Sequence, residues 1–242
     1  KTPVMTAAQI EDMLTWIILG VLLGGRIGYV LFYQPDIYLQ NPLAILAIWE
    51  GGMAFHGGLL GVIVAAWIYT GRQNINRLSA ADAIALGVPP GLLLGRFANF
   101  INAELWGRPT DLPWAVAFPG YAAQDCPNVI GLCTRHPSQL YQAFLEGLTL
   151  FAILFVLRLR FRNLGHGVIT GSFFVLYATF RIVAEQFREP DSDWVIEGFL
   201  TKGQFYSIFM YAIGAAFVVA GLKGKTGSLE GQSGGKSVSP GS

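Results

Sequence analysis

The sequence predicts an all-α, polytopic integral membrane protein with six spans, and three observations carry that prediction. Of 242 residues, 53% are hydrophobic and only 13% are charged. A soluble domain carries about 25% charged residues, so this chain has too few charges to coat a water-facing surface. Mean hydropathy is +0.48. Apolar runs near the length of a bilayer crossing, about 20 residues, recur along the chain, more often than a soluble all-α protein shows.

In chain order the predicted spans are 14–33, 53–70, 80–100, 138–158, 166–187 and 203–221. The first contains GGRIGY and the second opens on FHGGLLG. The third ends in GRFANF, where a polar loop region of about 104–137 begins. RHPSQLY leads into the fourth, with Ser138 expected as its N-cap and His136 assigned to the entry turn. The fifth ends in FRIVAEQF, and the sixth precedes a Gly/Ser-rich tail, 224–242, read as a disordered linker. Residues 1–223 then form one transmembrane helical domain. The chain begins at Lys1 with no secretory signal pattern, so a segment is expected upstream.

Loop charge orients the spans. The second and third are joined through Arg72 and Arg77 without an acid, and the fourth and fifth through Arg158, Arg160 and Arg162. The tail opens with Lys223 and Lys225. The other connections are mixed or acidic: Asp36 and Glu50; Arg108, Asp111, Asp125 and Arg135; Glu189, Asp191, Asp193, Glu197 and Lys202. This alternation places both ends of a six-span chain on the cytoplasmic side. A net charge of +1 excludes a strongly basic nucleic-acid binder. Cys126 and Cys133 have no metal-ligand spacing; in an outer loop, a local disulfide and two free thiols both fit.

Ionisable side chains within spans are costly and mark function by default. They are Arg26, His56, Asp82, Arg96, Glu146, Arg181 and Glu185. The orientation puts Arg26, His56, Arg96, Arg181 and Glu185 at one depth, the outer leaflet, and Asp82 at the cytoplasmic start of the third span, where it is expected to face water or cap that helix. Single arginines near span ends snorkel to the interface, but three with a histidine and carboxylates at one depth describe a site. Arg181 and Glu185 are i,i+4 and can pair, with Arg188 just beyond. Four arginines (26, 96, 181 and 188) suit a phosphate arriving from the lipid. Gly28 and Gly61 read as helix-packing residues, whereas Gly57 and Gly58 beside His56 are expected to open space for a ligand. Arg96, Asn99, Asn102 and Glu104 crowd into nine positions, where amides and a carboxylate need partners or a polar substrate. His166 is given no role.

GGRIGYVLFY, WEGGMAFHGGLLG, GRFANFINAELWGRP, RHPSQLY and FRIVAEQFREPD together resemble the prolipoprotein diacylglyceryl transferase family over roughly residues 12–221. The GRxxNFxNxExWG pattern is long and irregular, hence specific; HGG alone is weak. The resemblance implies a multi-pass enzyme of the bacterial inner membrane with its active site at the outer leaflet and its carboxy terminus in the cytoplasm. It implies transfer of the diacylglyceryl group of phosphatidylglycerol to the lipobox cysteine of prolipoproteins, forming a thioether and releasing glycerol 1-phosphate. His56 matches the family's essential histidine, a base for the substrate thiol, and Arg96 and Arg181 its essential arginines. Asn99, Glu104, Gly107, Glu185 and Arg188 match motif members, and Arg26, Tyr29, Gly57, Gly58 and Asn102 complete the expected substrate-binding set. No metal or organic cofactor is expected, and the nucleophile belongs to the peptide substrate rather than to Cys126 or Cys133. Ala98 stands where the family pattern has glycine. The family has seven spans, so the first, with a functional tyrosine, is expected upstream and would put the amino terminus outside.

Two other readings are a transporter or channel for an anionic solute and a non-catalytic lipid-binding subunit. Clustering at the outer leaflet rather than at the midplane, with no internal repeat, favours the enzyme.

Overall fold

The computed structural model describes residues 4–126, 129, 131–161, 164–189 and 202–233, apart from the side chains of residues 50, 202 and 224–233. The described residues form helices joined by loops, with only isolated bridges between extended segments. They fall into two compact units, Lys1–Ala80 and Ala81–Ser242.

In the first unit α1 spans Ala7–Phe32 and starts with a reciprocal cap. Thr6 Oγ1 accepts from the Gln9 amide at 3.2 Å, and Gln9 Oε1 accepts from the Thr6 amide at 2.9 Å. A short helix α2 (Pro35–Gln40) and two 3-10 turns follow, then α3 (Phe55–Arg72). α1 and α3 run antiparallel, backbone against backbone, along glycines spaced by four. Gly20 faces Gly61 and Gly24 faces Gly57; a methyl group at Gly20 would sit 2.5 Å from the Gly61 carbonyl oxygen. Small residues at this spacing let helices approach closely in lipid, where dispersion and shape rather than water drive association. The Tyr69 hydroxyl closes the far end by donating to the Gln9 carbonyl at 2.8 Å.

The second unit contains most of α4 (Arg77–Ile101), a short α5 (Tyr121–Gln124), and a continuous helix over Ser138–Arg160. That helix is α6 (Ser138–Gln142), a π-helical segment (Ala143–Thr149) and α7 (Leu150–Arg160). α8 (Val168–Glu185) and α9 (Lys202–Ser233) complete the unit. Ala85, Leu150, Leu154 and Ile169 form its buried apolar centre. Gly147 in the π segment lies against Leu93 of α4, whose Cβ would be 2.7 Å from an added methyl. α8 packs on α9 through Gly171 and Gly214. Asp82, expected to face water or cap its own helix, instead caps α8. Its carboxylate accepts from the Gly167 and Thr170 amides and the Thr170 hydroxyl, each at 2.8 Å. This offsets the orphan donors at that helix start.

Among the described residues, five helices are long and apolar enough to cross a membrane: Ala7–Phe32, Arg77–Ile101, Ser138–Arg160, Val168–Glu185 and Gly203–Lys223. Their apolar windows are only 17–39% buried, so most apolar side chains face outward, as lipid contact requires. α3 answers the expected span at 53–70 but is not among the five; His56, four glycines and Arg72 dilute its 18 residues. The α9 backbone continues through Ser233, into the segment read as linker. Residues 234–242, and the loop charges Arg162, Asp191, Asp193 and Glu197, lie outside the described residues.

Between α4 and α6 the loop is tied by a Cys126–Cys133 disulfide, Cα–Cα 6.2 Å, which settles the choice between a disulfide and free thiols. Gln124 reinforces it, donating to the Phe118 and Cys133 carbonyls and accepting from the Cys133 amide.

Candidate active site

The second unit gathers four of the expected site residues, Arg96, Arg181, Glu185 and Arg188, around Glu146, which the sequence marked as an ionisable side chain within a span but left out of the expected site. Glu146, in the π segment, is fully buried. One carboxylate oxygen lies 3.4 Å from Arg96 Nη2 on α4, the other 3.7 Å from Arg181 Nη1 on α8. Arg181 turns its second terminal nitrogen to Glu185 at 3.2 Å, one turn along the same helix, as the i,i+4 spacing predicts. Glu185 in turn lies against Gly203, where a methyl group would be 3.0 Å from its carboxylate. A π segment holds more residues per turn than an α-helix and recurs at functional sites; here it carries Glu146 to two arginines from different helices. Arg96 Nε is buried without a hydrogen-bond partner. Arg188, just past α8, has its pKa pushed down to about 10, first by burial and then by the neighbouring Arg181 charge. An anion among these guanidinium groups would relieve that repulsion.

The end of α4 delivers the amides. Ala103 takes a left-handed conformation, φ 54°, and the chain reverses there. The Glu104 amide donates to the Asn99 carbonyl at 3.0 Å and the Ala103 amide to Phe100 at 3.1 Å, a Schellman closure. Leu105 is left-handed too, φ 57°. This reversal swings the exposed Glu104 side chain back over its own helix, where one oxygen accepts from Asn99 Nδ2 at 2.9 Å and Asn102 Nδ2 at 3.3 Å. Left-handed backbone in non-glycine residues costs about 1 kcal/mol or more each and concentrates at functional sites.

Gly107 has a steric role. Its amide donates to the His136 carbonyl at 2.9 Å, and a side chain there would meet the Phe187 carbonyl at 2.5 Å. Glycine thus lets three segments close behind the arginines. Ser138 is the first residue of α6 rather than its cap, and its hydroxyl donates to the Leu105 carbonyl at 3.1 Å. His136 lies in the entry turn as expected, between the Tyr141 and Phe187 rings. Burial lowers its pKa, which favours the neutral ring.

The remaining expected residues belong to the first unit. His56 is exposed in the opening turn of α3 and, with Phe32, Tyr33, Ala54 and Gly57, lines an open cleft of about 410 Å³. Tyr29 stacks on Tyr33 at 5.4 Å and lies against Gly52. Gly57 is a packing glycine as well as a cleft residue, because it meets the Gly24 carbonyl. Gly58 is the looser of the two, with no atom nearer than 3.6 Å to an added methyl.

Arg26 is a correction. It was expected to meet an anion, but it is buried and its five N–H donors are matched by five backbone carbonyls. They are those of Ala44, Ile45, Ala47, Gly51 and Gly52. Tyr38 covers the guanidinium at 5.1 Å. Arg26 therefore holds the loop before α3 and has no donor left for a phosphate.

The family model of prolipoprotein diacylglyceryl transferase matches residues 1–220. The chain belongs to this family. Among its relatives, the phosphatidylglycerol–prolipoprotein diacylglyceryl transferase of Roseobacter denitrificans is 62% identical over 88% of this chain and 76% of its own length. That of Ruegeria pomeroyi is 59% identical, over 90% and 79%. That of Cupriavidus pinatubonensis is 49% identical, over 88% and 74%. The transporter and binding-subunit readings have no support from these relatives.

In this transferase fold two further residues stood outside the expected site. Arg135 is buried and ties the loop region together, donating to the carbonyls of Ala123 (2.7 Å), Gly107 (3.3 Å) and Asp125 (3.1 Å) and pairing with Glu189 at 3.3 Å. Its sequence signal was an arginine opening RHPSQLY, indistinguishable from a solvated loop charge. Glu146 did signal itself, as a carboxylate inside an apolar helix, but its two partners lie 50 and 35 positions away.

Proposed function

We propose that the chain transfers the diacylglyceryl group of phosphatidylglycerol to the lipobox cysteine of prolipoproteins at the outer leaflet of the bacterial inner membrane. The observation that carries this reading is the pair of half-buried guanidinium groups, Arg96 and Arg181, converging on the buried Glu146 in a chain of this family. Arginine forks match phosphate oxygens, and the lipid's phosphate is the anion that departs in the reaction. Glu146 and Glu185 keep the two forks oriented between turnovers.

The substrate thiol loses its proton to His56, and the thiolate, the nucleophilic form, attacks the glyceryl carbon bearing the phosphate ester. A C–S bond forms as that C–O bond breaks. The electron pair leaves with the phosphate, whose added charge the arginines stabilise, and glycerol 1-phosphate departs. Asn99, Asn102 and Glu104 line the polar approach, and Tyr29, Gly57 and Gly58 the face beside His56.

The test is mass spectrometry of a lipobox peptide incubated with the purified protein and phosphatidylglycerol micelles. A thioether adduct is expected from the wild type and its loss from His56→Gln and Arg96→Ala. No adduct from folded protein, or equal yields from both variants, overturns the reading.

A further inference from the structure

The helix that presents Glu146 carries two more buried polar side chains on the same face. Gln139 and Gln142 are three positions apart, Gln142 and Glu146 four, and all three are fully buried. Gln139 is anchored, its Nε2 donating to the Glu104 carbonyl at 2.7 Å, while its Oε1 has no partner. Gln142 has none at either amide atom. Buried primary amides are hydrogen-bonded in the great majority of cases, since desolvating one without compensation is costly. Gln142 thus stands one helical turn, about 5.4 Å, from the carboxylate that orients Arg96 and Arg181, between them and the Gln139–Glu104 anchor.

The geometry points to Gln142 as the residue that reads the hydroxyls of the lipid head group's glycerol, an assignment that rests on the phosphatidylglycerol reading above. With the phosphate at the arginines, the head-group glycerol extends over about the length of one turn. An amide offers an acceptor and two donors in one plane, and a hydroxyl is both donor and acceptor, so each hydroxyl can be matched. An ammonium head group would call for a carboxylate, and the two buried carboxylates among the described residues are taken by arginines. A site built around a hydroxyl rejects the analogue that lacks it, because the polar group is then left buried and unmatched.

The experiment compares phosphatidylglycerol with phosphatidylpropanol, the same lipid without head-group hydroxyls, in micelles with a lipobox peptide. Gln142→Met keeps the side-chain length and removes its polarity. The wild type is expected to prefer phosphatidylglycerol in kcat/KM, and Gln142→Met to reduce that preference by about tenfold or more, through loss on phosphatidylglycerol alone. A parallel fall on both lipids, the mark of a water-filled structural amide, overturns the assignment, as does an unchanged preference. Should Gln142→Met not fold, Gln142→Asn retains the amide at shorter reach and is expected to lose part of the preference; an unaltered ratio again overturns it. Thermal stabilisation of each protein by the two lipids reads the same preference without turnover. A head-group preference lost in the variant, in a wild type that forms no thioether, would sink the transfer reaction and leave Gln142 as the head-group contact.

Discussion

Replacing Glu146 by glutamine removes the one charge that Arg96 and Arg181 share and keeps the side chain's shape. At 3.4 and 3.7 Å, each contact carries roughly 4–5 kcal/mol of Coulomb attraction at an effective dielectric constant of about 20. Desolvation of the fully buried carboxylate offsets much of this. Removing one partner of a buried pair nevertheless costs about 3–5 kcal/mol, because the charge left behind stays buried. Arg181 keeps Glu185 at 3.2 Å, so the loss falls mainly on Arg96, which places the expected cost at the lower end. In a chain of this size that corresponds to a fall in Tm of roughly 10 °C, measurable by the thermal unfolding of detergent-solubilised protein. A misplaced guanidinium is also expected to lower kcat/KM for thioether formation about a hundredfold. Phosphatidylglycerol should stabilise the variant more than the wild type, since its phosphate stands in for the lost carboxylate. A Glu146→Gln protein with wild-type Tm and undiminished turnover would refute the reasoning.

Three further outcomes follow from local geometry. Gly61→Ala drives a methyl group into the Gly20 carbonyl and is expected to cost about 2 kcal/mol or more, whereas Gly58→Ala, with its nearest neighbour at 3.6 Å, should change stability by about 0.5 kcal/mol at most; thermal unfolding separates the two. Ala103→Gly relieves a left-handed residue and is expected to stabilise by about 0.5 kcal/mol, the roughly 1 kcal/mol of strain less glycine's extra freedom when unfolded, seen as a small rise in Tm. Because burial lowers the pKa of His136, the unfolded chain binds its proton first. The stability it contributes is complete above the unfolded value of about 6.5 and is lost as pH falls through the lower folded value. Tm is therefore expected to drop between pH 7 and 5, and His136→Phe to flatten that slope.

The spans and the arginines could be read from the chain because both depend on residue type alone: long apolar runs, and charges inside them. Arg181 and Glu185 pair on one face because helical spacing is local. What could not be read was a partner chosen by tertiary packing. Nothing distinguishes Arg26, held by five carbonyls, from an arginine awaiting phosphate, since carbonyls are common to every residue. Gly57 was read as space for a ligand because a glycine beside a histidine reveals nothing of the helix behind it. Asp82 was placed at the right helix end, yet the helix it caps begins 86 positions later, at Val168. Glu146 stood out as an anomaly, but two cations on two other helices gave it meaning.

The π segment has a consequence for how this chain tolerates change in length. Seven residues wound more loosely than an α-helix take up about one residue more than even α winding would over the same rotation. Gln139 and Gln142 turn inward before it, Glu146 within it, and Leu150 and Leu154 after it. Deleting one residue there would let the helix close to even α winding with both stretches nearly in place, because six α residues turn through about 600°, close to what seven looser ones do. A further inserted residue, wound as α, would instead rotate one stretch against the other by about 100° and turn the polar face or the greasy one out of the protein. The loosened turn absorbs a surplus residue while two unlike surfaces stay in step along one rod, so this helix bears the loss of a residue there better than the gain of another.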